Sequence, residues 1–127
     1  MAEILIVDDS KVMRVMIIAC LQPLPGVGFT QAANVLEGIE KLSAQKFDLC
    51  VLDLDMPDLG GLEVLEFARA QDRLREVPII VVTTRGDENS RAKAMAAGAT
   101  AFMSKPFDPK AILAAISGLL AGLPRAA

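Results

Sequence analysis

The 127-residue chain contains no histidine, no tryptophan and no tyrosine. The missing imidazole excludes His-based general acid–base catalysis, His metal ligands and a phosphohistidine carrier. No apolar run approaches the roughly 20 residues of a membrane span. No signal peptide is expected either, because Met1 to Glu3 has no basic lead-in and the apolar Ile4–Val7 is too short. Lys and Arg never cluster, and the net charge is −3. That balance argues against tight nonspecific binding to nucleic acid or an anionic membrane. The only two cysteines, Cys20 and Cys50, lie inside apolar runs. They are expected to be small buried hydrophobes in a reduced, cytoplasmic setting rather than a disulfide or redox pair. No linker, low-complexity stretch or long repeat is visible.

What the chain does have is apolar material in a regular layout. Hydrophobic residues make up 53% and charged residues 23%, enough for a packed core and too apolar for a disordered chain. The length suits one domain. Short apolar runs occur at Ile4–Val7, Leu49–Leu52 and Pro78–Val82, with weaker ones at Val27–Gln31 and Thr100–Met103. The three strongest are nearly continuous, the pattern of strands buried on both faces of a parallel sheet. Helical patterns lie between them. Ser10 can cap a helix reaching about Leu21, stopped by Pro23 and Pro25. Val35, Leu36, Ile39 and Leu42 share helical spacing, and Leu62, Leu65 and Phe67 mark a third helix from near Gly60. Asp87 to Ala97 is a fourth, ended by Gly98. Asp108-Pro109 opens a fifth, carrying Ile112, Leu113, Ile116, Leu119 and Leu120. Five strand–helix repeats predict an open, mostly parallel α/β sheet with helices on both faces. Ligands of such sheets bind beyond the carboxyl ends of the strands.

Polar residues with chemical potential sit at those ends. Asp8-Asp9 follow the first run, Asp53 and Asp55 the third, Thr83-Thr84 the fourth, and Lys105 the fifth. A single Asp after a strand is ordinarily a turn former or a cap. Four strands delivering such groups to one edge suggest a site. Asp8, Asp9 and Asp53 would crowd three carboxylates together. Two unit charges about 4 Å apart repel by roughly 4 kcal/mol at an effective dielectric of about 20, so the cluster calls for a cation. Few and hard oxygen ligands suit Mg²⁺ with several retained waters and a phosphate oxygen. Lys105 adds a fixed positive charge and Thr83 a hydroxyl donor. Around one carboxylate, such groups could stabilise the charge on a transferring phosphoryl group.

The segments LIVDDS, VLDLDMPDLGGLEVL, IIVVTT and FMSKPF occur in order across nearly the whole chain. Together they resemble the response regulator receiver domain, the CheY-like family of bacterial two-component signalling. The resemblance implies a flavodoxin-like (βα)5 fold, a doubly wound parallel sheet in the order 2-1-3-4-5. It would fill residues 1–122, with a short tail at 123–127. It implies a phosphoprotein rather than an enzyme: Asp53 accepts a phosphoryl group from a histidine kinase, with at most self-phosphorylation and self-dephosphorylation. Asp9 would bind Mg²⁺ directly and Asp8 largely through water, alongside Asp53 and the backbone carbonyl of Asp55. Thr83, not Thr84, matches the switch hydroxyl, and Lys105 matches the lysine that pairs with the phosphoryl oxygen. The Lys105-Pro106 bond would be cis.

Phe102 sits where the family places a rotating aromatic switch. It has no hydroxyl and so no outward hydrogen bond; its other role is that of a core aromatic. The Asp55 side chain is expected to face solvent, the alternative being that Asp55 and Arg85 tune water access to the phosphoryl group. Met56-Pro57 and Gly60-Gly61 resemble the family's loop after the acceptor strand. Implied partners are a sensor histidine kinase or phosphotransfer protein, and a downstream protein target on the fourth-helix, fifth-strand and fifth-helix face. No direct nucleic-acid or membrane partner is expected, and the chain would be a monomer or a weak phosphorylation-dependent dimer. VDDSKVMRVM leans towards stand-alone, chemotaxis-type regulators. Two other readings stand beside this one. Asp53-x-Asp55 resembles the nucleophile motif of haloacid dehalogenase-like phosphatases, although that family places its acidic pair last. A receiver that docks without phosphorylation is the other.

Overall fold

The computed structural model describes residues 2–56 and 60–122. Within them the apolar runs are strands and the periodic stretches are helices. Their order is β1 (Ala2–Val7), α1 (Lys11–Cys20), β2 (Val27–Ala32), α2 (Val35–Ala44), β3 (Leu49–Asp53), α3 (Leu62–Ala70), β4 (Ile79–Thr83), α4 (Glu88–Ala96), β5 (Ala101–Ser104) and α5 (Pro109–Ala121). The strands form one sheet in the order β2-β1-β3-β4-β5, all pairs parallel. This is the flavodoxin-like order the resemblance implied.

Alternate residues of a strand face opposite sides, and both sides here are covered. Ile4, Ile6, Leu49, Val51, Ile80 and Val82 pack with Ile17, Leu21, Ile112 and Ile116 from the α1 and α5 side. Leu5, Val7, Cys50, Leu52, Ile79 and Val81 pack with Val35, Leu42, Val64, Leu65, Ala68 and Ala94 from α2, α3 and α4. That double cover is why β3 and β4 are buried along their whole length and read as unbroken apolar runs. Each buried Leu or Ile contributes about 1.5–3 kcal/mol, so the two layers hold the strand ends firmly in place.

Helices α1, α2, α4 and α5 start from side-chain caps, each worth about 1 kcal/mol. Ser10 accepts from the Met13 N–H, Asn34 from Glu37, Asp87 from Ser90 and Asp108 from Lys110. Gly98, with φ of 113°, takes the left-handed conformation just past α4. The helical spacing at Val35, Leu36, Ile39 and Leu42 falls on α2, which buries Val35, Gly38 and Leu42 and leaves Leu36 66% exposed. A Cβ on Gly38 would meet the Val7 methyls at 3.2 Å, so the missing side chain is what brings α2 down onto β1. Both cysteines are free, Cys50 buried and Cys20 half-buried, and burial pushes the Cys50 thiol up to about 12. Among the described residues no helix is long and apolar enough to cross a membrane.

Candidate functional site

Parallel strands end on the same side, so polar residues just past the apolar runs converge there. Asp8 follows β1, Asp53 ends β3, Thr83 ends β4 and Lys105 follows β5. The register sets Val7 beside Leu52, Asp53 beside Val82 and Thr83 beside Ser104. Asp8, Asp53 and Thr83 are 1%, 2% and 0% exposed, the buried polar residues among those described. Such groups are costly unless they are partnered. Lys105 Nζ lies 3.0 Å from Asp53 Oδ1, 3.4 Å from Asp8 Oδ2 and 3.6 Å from Asp55 Oδ2. The Asp55 N–H donates to Asp53 Oδ1 at 2.9 Å, and the Ser10 N–H to Asp8 Oδ1 at 2.8 Å. Asp53 Oδ2 is different: it is buried and has no hydrogen-bond partner among the described residues.

One ammonium therefore faces the carboxylates of Asp8, Asp53 and Asp55, with exposed Asp9 alongside. Burial pushes the Asp53 carboxyl up to about 6. The Asp8 charge adds to this, while the Asp55 N–H and Lys105 pull the other way. Burial alone would lower Lys105, but its hydrogen bond to Asp53 and the charges of Asp53, Asp8 and Asp55 hold it above its ordinary value. One carboxylate oxygen from each of Asp8, Asp9 and Asp53 lies within 4.8 Å of the others. A hard, all-oxygen, electron-rich donor set with an uncommitted buried oxygen fits a small divalent cation such as Mg²⁺.

Two positioning features carried no clear signal in the sequence. Arg14 reaches back from α1, donating from Nη1 to the Asp8 carbonyl at 2.5 Å and from Nε to Gln31 Oε1 at 2.8 Å. Only its place just after the Asp8-Asp9 turn hints at this. A Cβ on Gly61 would sit 2.6 Å from the Asp53 carbonyl oxygen and 2.6 Å from Leu54 Cδ2. Only glycine lets the start of α3 pass so close to the acidic strand end.

The Asp55 side chain corrects an expectation, because it does not simply face solvent. The Thr83 hydroxyl donates to its Oδ1 at 2.7 Å, and the Thr84 N–H to its Oδ2 at 2.7 Å. The turn explains this: the Asp55 N–H is drawn to Asp53, which leaves the side chain directed along the sheet edge to β4. Partial burial pushes the Asp55 carboxyl up, but the bonds from Thr84 and Thr83 outweigh it and hold the group below its ordinary value. Arg85 contributes a backbone N–H to Thr83 Oγ1 at 3.1 Å, while its side chain is exposed. Phe102 is half-buried against the layer beneath α4, with the Arg91 guanidinium 5.9 Å from its ring centroid. The Lys105-Pro106 bond is cis. Pro57 and the tail at 123–127 lie outside the described residues.

The response regulator receiver domain family matches residues 4–117, nearly the whole chain. The chain belongs to this family. As a receiver domain it is 34% identical over 111 residues to the chemotaxis protein CheY1 of Helicobacter pylori, covering 87% of this chain and 90% of that protein. It is 30% identical over 117 residues to the phosphate regulon transcriptional regulatory protein PhoB of Pseudomonas aeruginosa. That match covers 92% of this chain but 51% of PhoB, so the chain spans about half of that regulator. Among solved structures it is similar to the receiver domain of a sensor histidine kinase from Pseudomonas aeruginosa, which has a magnesium ion coordinated in its active site cleft. The TM-score is 0.85 at 28% identity, covering 95% of this chain and 98% of that one. The family, rather than the haloacid dehalogenases, accounts for the Asp53-x-Asp55 pattern.

Proposed function

We propose that this receiver domain is a phosphorylation-operated switch whose acceptor is Asp53. The Asp53 carboxylate carries the proposal: it is buried at the sheet edge, with one oxygen held by Lys105 and the Asp55 N–H and the other uncommitted. The donor is a phosphohistidine on a sensor kinase or phosphotransfer protein. A carboxylate lone pair forms the new O–P bond as the donor's P–N bond breaks. The leaving imidazole nitrogen keeps the electron pair and takes its proton from water, so the receiver needs no histidine of its own. Lys105 stands ready to neutralise charge on the phosphoryl oxygens, and Thr83 supplies a hydroxyl at the neighbouring strand end.

Asp8, Asp9 and Asp53, with the backbone carbonyl of Asp55, would hold Mg²⁺. The ion would supply further neutralisation of phosphoryl charge. The magnesium in the similar kinase receiver domain supports this assignment.

Phosphorylation then biases Thr83 and Phe102 towards a second arrangement, altering the face of α4, β5 and α5 that a downstream protein reads. A target that prefers one arrangement shifts the population. Likeness to CheY1 supports a chemotaxis-type regulator. In this reading the receiver fills residues 1–122. It works in the cytoplasm as a monomer or weak phosphorylation-dependent dimer, and does not itself bind nucleic acid or membrane.

The test is acetyl phosphate labelling read by intact mass, with magnesium or with chelator. The native chain should gain one phosphoryl group with magnesium only, and Asp53→Asn none. Labelling that persists in the variant overturns the assignment, and an unlabelled native chain favours a receiver that docks without phosphate. Sustained turnover of p-nitrophenyl phosphate would instead indicate a phosphatase.

A further inference from the structure

The Thr83 hydroxyl has one proton, and it is already committed. Buried at the end of β4, it donates to Asp55 Oδ1 at 2.7 Å while its oxygen accepts the Arg85 N–H at 3.1 Å. A hydroxyl donates only once, so in this arrangement it has nothing to give a phosphoryl oxygen on Asp53. The same carboxylate takes the Thr84 N–H at 2.7 Å and lies 3.6 Å from Lys105 Nζ. Its backbone is tied to the acceptor, since the Asp55 N–H donates to Asp53 Oδ1 at 2.9 Å. Asp55 thus bridges β3 and β4. Carboxylate and phosphoryl oxygens are both anionic acceptors that recruit such donors through charge-assisted hydrogen bonds.

We propose that the Asp55 carboxylate is an internal latch, occupying in the resting protein the donors that a phosphoryl group on Asp53 would take. Phosphorylation then requires an exchange in which Asp55 gives up the Thr83 hydroxyl. This rests on Asp53 being the acceptor. The latch favours the resting arrangement and weakens capture of an oxyanion at Asp53. Simple charge repulsion between Asp55 and an arriving anion would also weaken capture. The two causes differ in their dependence on Thr83: repulsion acts whether or not the hydroxyl is present, whereas the latch works through it.

The test is beryllofluoride binding at saturating magnesium, titrated by fluorine NMR. The proteins are the native chain, Asp55→Ala, Asp55→Asn, Thr83→Ala, the Asp55→Ala/Thr83→Ala pair, and Asp53→Asn as control. Charge-assisted bonds are the strong ones, so Asp55→Ala should bind about tenfold more tightly than the native chain. In the Thr83→Ala background that gain should shrink to less than about twofold. The Thr83 methyl resonance of resting Asp55→Ala should also move towards its beryllofluoride-bound position. Asp55→Asn keeps the side-chain shape and should bind more tightly than native even if Asp55→Ala folds poorly. Equal affinity of the native chain and Asp55→Asn overturns the latch, as does an equal gain with and without Thr83. Both results leave Asp53 as the acceptor. If the native chain binds no beryllofluoride, or Asp53→Asn binds it equally well, the acceptor assignment falls and the latch falls with it.

Discussion

Replacing Asp53 with Asn should stabilise the metal-free protein, even though it removes one partner of Lys105. The Asp53 side chain is 2% exposed, and its carboxyl is pushed from 3.8 to about 6, chiefly because burial disfavours the charged form. A rise of about two units corresponds to about 3 kcal/mol for ionising this group in the folded protein at neutral pH. For a raised carboxyl, the stabilising contribution is complete below pH 3.8 and is lost as pH rises through about 6. Asn is a neutral isostere and suffers no such loss. Lys105 keeps Asp8 and Asp55 as partners, so it is not left stranded. The variant should therefore be about 2–3 kcal/mol more stable at neutral pH without metal, or roughly 10 °C in Tm for a domain of this size. The gap should close as pH falls from about 6 to 3.8. Magnesium should oppose it, because an ion at 100 times its Kd adds about 2.7 kcal/mol to the chain that binds it. Asn at 53 removes one of the charged ligands and should gain less. The assay is denaturant unfolding followed by circular dichroism, in chelator and in magnesium, across this pH range. A variant less stable than native in chelator at neutral pH would refute the crowded acidic pocket. So would a gap that acid leaves unchanged.

Lys105→Met keeps the stem of the side chain but removes the ammonium that faces Asp53 and Asp8. Acetyl phosphate labelling should slow by about 100-fold, read as an initial rate by intact mass. Gly61→Ala places a Cβ 2.6 Å from the Asp53 carbonyl oxygen and from Leu54 Cδ2. It should cost about 1–3 kcal/mol in denaturant unfolding and weaken magnesium binding by displacing the acidic strand end. Arg69→Ala tests the opposite end of the sheet, where Arg69 donates to the carbonyls of Gly98, Leu74, Arg75 and Val77 at 2.9, 3.2, 3.1 and 2.8 Å. Leaving those carbonyls unpaired should cost about 2–4 kcal/mol of stability while the labelling rate of the folded protein stays at the native value.

Much of this site was legible because strand burial leaves a plain mark. Unbroken apolar runs such as Leu49–Leu52 survive only between two covering layers, and Asp8, Asp53, Thr83 and Lys105 were placeable because they abut such runs. Periodicity alone shows that strands are parallel but not which ones are neighbours; the 2-1-3-4-5 order came from family resemblance. The Asp55 side chain was misplaced because its direction depends on partners from two strands, Asp53 on β3 and Thr83 on β4. Nothing local to Asp55 encodes that pairing. Arg14 and Arg69 escaped notice for a related reason, since long side chains seek backbone carbonyls, and Gly98 lies 29 residues from Arg69. Gly38 looks like a gap in an apolar stripe, when its missing side chain is what seats α2 on Val7.

The most direct test of Asp53 as acceptor is to trap the acyl phosphate chemically. Borohydride reduction of the phosphorylated chain converts an aspartyl phosphate to homoserine, and peptide mass spectrometry then locates it. Homoserine at position 53 alone, formed only after phosphodonor and magnesium, is the predicted result. Homoserine at Asp8, Asp9 or Asp55, or at no position in a chain that carries phosphate, would contradict it.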